Sequence, residues 1–250
     1  MNKQDYHIYY CSFGKDSLAM ILNAVEQGKQ IDEVCHCKIM FSDAISGEFP
    51  DHEAFINNIA IPYLKDKLAL NYVEISNKTY LKVFFTKFKK GKHIGEYYGF
   101  PQRFAPVCNS RLKLLAIEKH KTELRKNYNI IEHVGIAADE TKRIKSAVNK
   151  GIILDLVNED ITEKDCYKIC EKYGLLSPLY TEYGFKRIGC FFCPNASMKE
   201  LKILYQKHYA LFYMLMNLDK YSPERKFKDK YTVHDLKSKF DKELQKVEEK

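Results

Sequence analysis

The run Tyr9-Tyr10-Cys11-Ser12-Phe13-Gly14-Lys15-Asp16-Ser17 carries the residue types of a phosphate cradle. Gly14 lets the backbone approach an anion closely, Lys15 supplies a full positive charge, and the hydroxyls of Ser12 and Ser17 can complete the grip. Free N–H groups and the positive end of a helix dipole gather anionic oxygens, provided that a helix starts here. The flanks supply the elements. Tyr6–Tyr10 reads as a buried strand, and Leu18, Ala19, Ile21, Leu22 and Val25 recur afterwards at helical spacing. A plainer reading keeps an ordinary turn, with Asp16 or Ser17 as the helix N-cap.

A second chemistry belongs to the cysteines. Cys190 and Cys193 are two residues apart, so a tight turn can aim both thiolates at one metal while Phe191 and Phe192 shield it from water. A [4Fe-4S] cluster, a structural zinc completed by histidine or water, and a bare redox dithiol all remain open. Cys35 and Cys37 alternate on one face of a predicted strand with His36 on the other, and Cys166 and Cys170 are i,i+4 on a predicted helix. Either pair serves equally well as core packing.

These groups need a scaffold, and the pattern predicts strands over 6–11, 34–41, 71–75 and 131–136 with helices over 17–27, 51–67 and 109–126. Strand and helix alternate, which predicts an α/β fold with a Rossmann-like parallel sheet, covering helices, and ligands at the switch point of the strand order. Residues 77–107 form a long Gly- and Lys-rich connection suited to a substrate loop or lid. A helix over 160–173 capped by Thr162, another over 197–217, a break at Ser222-Pro223 and a charged helix over 232–249 complete the chain. The implied organisation is a nucleotide-binding core over 1–155, a segment over 156–218 carrying the Cys-x-x-Cys, and a helical extension over 219–250.

At 250 residues the chain can bury a large core without disulfide staples. No apolar run reaches the roughly 18 residues of a membrane span, and Met1–Asp5 lacks the apolar core of a signal peptide. A cytoplasmic protein with no membrane partner is expected, in which eight cysteines point to metal or redox sites rather than disulfides. The net charge of +8 suits a polyanionic partner. Basic residues gather in Lys87-Phe88-Lys89-Lys90-Gly91-Lys92-His93 and in Arg225-Lys226-Phe227-Lys228-Asp229-Lys230, where the aromatic neighbours suit stacking on bases. A solvated lysine-rich face accounts for them equally well.

Ser-x-Gly-Lys-Asp-Ser after a strand resembles the PP-loop of the ATP pyrophosphatase superfamily, of HUP-type fold. Arg187-Ile188-Gly189-Cys190-Phe191-Phe192-Cys193-Pro194 resembles the cysteine signature of its phosphoadenosine phosphosulfate (PAPS) reductase-like members. Further segments follow in that family's order: Phe41-Ser42-Asp43 with Gly47-Glu48-Phe49-Pro50, Pro106-Val107-Cys108 with Lys113, and Gly135 to Arg143, in which Ala137 replaces the usual arginine. The resemblance covers about residues 6 to 218. It implies ATP bound by Ser12, Phe13, Gly14, Lys15, Asp16, Ser17 and Gly135, with Lys15, Asp43, Asp139 and Arg143 in catalysis. It implies Mg²⁺ on carboxylates drawn from Asp43, Glu48, Asp139 and Glu140. Cys108 would join Cys190 and Cys193 as a third metal ligand, its thiol pKa lowered at a helix start.

The activity so implied is adenylation of an acceptor with release of pyrophosphate, followed by sulfur transfer to a nucleic acid or small molecule. A homodimer is compatible with it. Adenylyl- or phosphoadenylyl-sulfate reduction is the alternative, but no cysteine follows Cys193 to take sulfite from such a substrate. A module from a phage or defence system that binds an adenine nucleotide or nucleic acid without turnover is the other.

Overall fold

The computed structural model describes residues 3–101, 107–148 and 150–248. Pro106, named above, lies outside the described residues, as do the ends of the N-terminal and tail segments. Two compact units interleave along the chain. The first comprises residues 1–38, 51–76 and 115–188, and the second 39–50, 77–114 and 189–250, whereas the sequence reading placed successive boundaries at 155 and 218.

Unit one is α/β. Strands β1 (Gln4–Tyr10), β2 (Glu33–Cys37), β3 (Tyr72–Ile75) and β4 (Tyr128–Val134) form an all-parallel sheet in the order β3-β2-β1-β4. The order reverses at β1. Tyr10 pairs with Cys35 on one side and Val134 on the other, so the carboxyl ends of β1 and β4 open side by side at the switch point. β2 is buried throughout and stops at Cys37, short of the expected residue 41. Helix α1 (Lys15–Glu26) buries Leu18, Ala19 and Leu22 against Cys166 and Cys170 of the helix Glu163–Lys172. Thr162 caps that helix through a capping box with Asp165, as its position predicts. The predicted helix over 51–67 is helical but alternates α geometry with π stretches at Ile56–Ala60 and Tyr63–Lys67.

Unit two is built on aromatic rings. Tyr80 stacks on Phe192 with centroids 4.1 Å apart, Phe84 meets Phe100 at 5.3 Å, and Phe100 meets Phe227 at 5.1 Å. The long connection is not structureless, because Thr79 caps a short helix over Tyr80–Phe84. The expected helix over 197–217 is two helices, Met198–Lys207 and Tyr209–Leu218, parted where His208 leaves helical geometry at φ −131°. The terminal helix runs over Val233–Glu248. No helix among the described residues is long and apolar enough to cross a membrane.

Candidate functional site

In unit one the chain leaves β1, turns through Cys11–Gly14 and enters α1 at Lys15, at the sheet's switch point. Gly14 is the N-cap and no side chain caps the helix, so neither Asp16 nor Ser17 holds that position. The left-handed residue of the loop is Phe13 (φ 55°), whereas Gly14 sits at φ −76° and a Cβ there would make ordinary contacts with the Tyr180 hydroxyl at 3.4 Å and the Ser12 hydroxyl at 3.6 Å. The left-handed turn of the loop thus falls on Phe13 and not on its glycine. Its buried ring is wedged edge-on against His36, which also bonds the Cys11 carbonyl at 2.8 Å through Nδ1.

Ser17 braces the loop. Its hydroxyl donates to the Gly14 carbonyl at 3.0 Å, accepts from the Ser12 N–H at 3.1 Å and lies 3.3 Å from the Ser12 hydroxyl. The Lys15 N–H, an orphan donor of the first helical turn, reaches the Tyr180 hydroxyl at 3.3 Å. Lys15 itself is buried and paired, with its Nζ 2.8 Å from Asp16 Oδ1 and 3.2 Å from Glu163 Oε2. Burial alone would lower its pKa, but the hydrogen bond and charge of Asp16, with Tyr180 and Glu163, outweigh that and hold it above the ordinary lysine range. Tyr180 and Glu163 arrive from far down the chain, and no motif announces them.

Gly135 presses on the same turn. A Cβ there would lie 2.7 Å from the Asp16 carbonyl oxygen and 2.8 Å from the Ser17 Cα, so only glycine lets the end of β4 approach the start of α1. Asp139 accepts the Glu163 N–H at 3.1 Å, and Arg143 pairs with Glu140 at 2.7 Å on an exposed helix. Cys170 donates to the Lys15 carbonyl at 3.2 Å, and both Cys166 and Cys170 are core residues. Farther along the sheet, Glu33, Cys35 and His120 form a group able to hold a metal ion. Their ligand atoms lie within 4.8 Å of one another, the one such trio among the described residues. His120 Nε2 is 2.7 Å from Glu33 Oε1, and burial, then Glu33, push the Cys35 thiol well above its ordinary range.

In unit two the segment Cys190–Cys193 makes the expected tight turn, with the Cys193 N–H donating to the Cys190 carbonyl at 3.0 Å. Phe191 and Phe192 are fully buried beneath it. Gly47 allows this packing, because a Cβ there would meet the Ile39 carbonyl oxygen at 2.6 Å and the Phe192 ring at 3.1 Å. Cys108, Cys190 and Cys193 come near enough to feel one another's charge. Burial, then Glu48, Cys193 and Cys108, push the Cys190 thiol far up, against a lowering by Lys113. Cys108 corrects the expectation of a lowered thiol, since burial and Cys193 raise it to about 11 despite the N–H groups of Asn109 and Cys108. The buried Tyr80 hydroxyl lies near enough to the same three thiols to feel their charge and has no hydrogen-bond partner among the described residues. Asp43 stands on an exposed loop of this unit, ion-paired with Lys82 at 2.6 Å.

No protein-family model matches this chain, and no curated protein matches it.

Proposed function

We propose that the protein binds ATP at the Ser12–Ser17 loop, adenylates an acceptor with release of pyrophosphate, and prepares that acceptor for sulfur transfer. The observation that carries the reading is the loop at the switch point of a parallel sheet, opening a helix with Lys15 and two braced hydroxyls. An acceptor oxygen attacks the α phosphorus, the bond to the β-phosphate oxygen breaks, and pyrophosphate leaves. The N–H groups at the start of α1 and the Lys15 ammonium carry the charge that develops on the departing phosphates. Sulfide then displaces AMP from the activated centre. Mg²⁺ arrives on the ATP phosphates and keeps much of its water, so it needs few protein carboxylates.

The thiols of unit two fit a metal group. Burial and neighbouring thiols raise the Cys108 and Cys190 thiols, and among the described residues the buried Tyr80 hydroxyl near them has no hydrogen-bond partner, so a cationic group there would let the sulfurs ionise. Cys108, Cys190 and Cys193 would hold it. They suit either a [4Fe-4S] cluster or a zinc ion completed by a further ligand, and the reading of sulfur transfer favours the cluster. Held by these three thiolates, a cluster would leave one iron free to carry sulfide.

Full-length protein loaded anaerobically with iron and sulfide, given ATP and Mg²⁺, is expected to yield AMP and pyrophosphate. Lys15→Ala and Ser17→Ala should each weaken ATP binding by about 1.5–3 kcal/mol in calorimetric titration. Tight binding of intact ATP with no products from any acceptor tested would leave a nucleotide-binding module. Absence of ATP binding by the wild type would remove the cradle as well.

A further inference from the structure

The sequence offered Phe88 and Phe227 as rings for stacking on bases, and the structure uses both internally. Phe227 is buried in the aromatic core, and Phe88 lies under the Arg225 guanidinium at 4.5 Å. Lys228 is likewise committed, its ammonium donating to the Pro194 and Ala196 carbonyls at 3.1 and 2.6 Å. Other residues of the same unit take their place. The two basic segments, far apart in the chain, meet at a half-open pocket of about 270 Å³ lined by Lys87, Tyr97, Lys220, Tyr221 and Arg225.

Its rings share one aromatic neighbour. Phe85 packs edge-on against Tyr97 and Tyr221 with centroids 5.3 and 5.2 Å away. Arg225 is fixed by its stack on Phe88 and by donating Nη1–H to the Tyr98 carbonyl at 2.9 Å. Lys87 and Lys220 lie over the Tyr97 and Tyr221 rings, 5.4 and 4.9 Å from the centroids. Exposed cation–π contacts of this kind are weaker than stacking of a base on an aromatic ring. A base can therefore displace each lysine from its ring and leave the ammonium for a phosphate. Two carboxylates also line the pocket. Glu96 is engaged by His93 at 2.9 Å, and Glu224 is exposed at the rim.

We infer that this pocket binds single-stranded nucleic acid, stacking one or two unpaired bases on Tyr97 and Tyr221 while Lys87, Lys220 and Arg225 hold the flanking phosphates. Duplex is disfavoured, because its bases are already stacked on one another and present no free face. The identification of this strand as the sulfur acceptor rests on the proposed adenylation, but binding of the strand does not.

The test is fluorescence anisotropy of full-length protein with labelled 12-nucleotide single-stranded DNA, single-stranded RNA and the corresponding duplex, without ATP and at several salt concentrations. Because ATP is absent, failure of the adenylation reading leaves the outcome unaffected. Wild type is expected to prefer a single strand of DNA or RNA over duplex. Tyr97→Leu and Tyr221→Leu should each weaken that binding about five- to one-hundred-fold with an unchanged salt slope, and the matching Tyr→Phe variants should retain it. Lys87→Gln and Lys220→Gln should each flatten the salt dependence by about one unit of log–log slope or less. Equal affinity for duplex, wild-type binding by both leucine variants with intact thermal melts, or no binding of either strand at low salt would each overturn the inference.

Discussion

The two units treat their reactive groups in opposite ways. In unit one every group singled out for chemistry has an internal partner: Lys15 lies on Asp16 and Glu163, the first N–H of α1 meets Tyr180, and Glu33 meets His120. In unit two, the Cys108 and Cys190 thiols are raised by burial and by neighbouring thiols, and the buried Tyr80 hydroxyl near them has no hydrogen-bond partner among the described residues. A ligand entering unit one must compete with contacts the fold already makes. One entering the thiol corner meets raised thiols and a tyrosine hydroxyl that has no hydrogen-bond partner among the described residues. Metal-capable residue types alone therefore do not distinguish the Glu33–Cys35–His120 group from the Cys108–Cys190–Cys193 group, and only variants of each can separate them.

The largest expected effect breaks the comparison outright. Cys108→Ser, Cys190→Ser or Cys193→Ser should each abolish the visible absorption of protein reconstituted with iron and sulfide, whereas Cys35→Ser and Cys166→Ser should leave it intact. Loss of the signal in Cys35→Ser but not in Cys190→Ser would reverse the assignment. Next in size is a buried histidine of unit one. The His52 ring has Nδ1 2.9 Å from the Ser177 hydroxyl, and burial, then His36, push its pKa down to about 3 against a raising contact with the Ser12 backbone.

The unfolded chain takes up that proton near pH 6.5 and the folded chain only near 3. Stability is thus fully present above pH 6.5 and falls with pH through the window between, by about 1.4 kcal/mol per unit from this group. Urea unfolding of wild type and His52→Gln at pH 7 and 5 should show the slope only in the wild type. This buried imidazole then appears as a titration and not as a ligand site.

A smaller effect sharpens the contrast inside unit two. Tyr80→Phe removes a buried hydroxyl with no partner, so metal-free protein should gain about 1 kcal/mol in denaturant unfolding. The same change should perturb the absorption of the loaded protein. Destabilised metal-free Tyr80→Phe protein would mean that the hydroxyl has a partner after all. The smallest effect tests the competition in unit one. Glu163→Gln frees Lys15 from one of its two carboxylates, so ATP should bind a few-fold more tightly; the gain stays under about 1 kcal/mol because Glu163 is half-exposed. Weaker ATP binding by Glu163→Gln would assign the carboxylate a supporting role instead.

Some of this architecture is legible one residue at a time. The parallel strands, α1, the Thr162 cap and the turn at Cys190–Cys193 follow from hydrophobic period, capping chemistry and short spacing, all of which act over a few residues. The break at His208 and the π stretches after Phe55 do not, since they depend on what packs against the helix. Lys228, Phe88 and Phe227 have the right types for a nucleic-acid face, yet the fold spends them on carbonyls, a guanidinium and the core, and puts Tyr97 and Tyr221 at the surface instead.

Sequence by itself determined the parallel α/β sheet, the helix that opens at Lys15 and the paired thiols of the Cys-x-x-Cys, because each is encoded by neighbours in the chain. Only the tertiary structure decided that Lys15 is neutralised by Asp16 and Glu163, that Gly135 must be glycine to admit α1, and that Cys108 is raised rather than lowered. The reason is the same each time. Burial, charge coupling and close approach depend on distance in space, and residues 16, 135 and 163, or 80, 108 and 190, become neighbours only when the chain has folded.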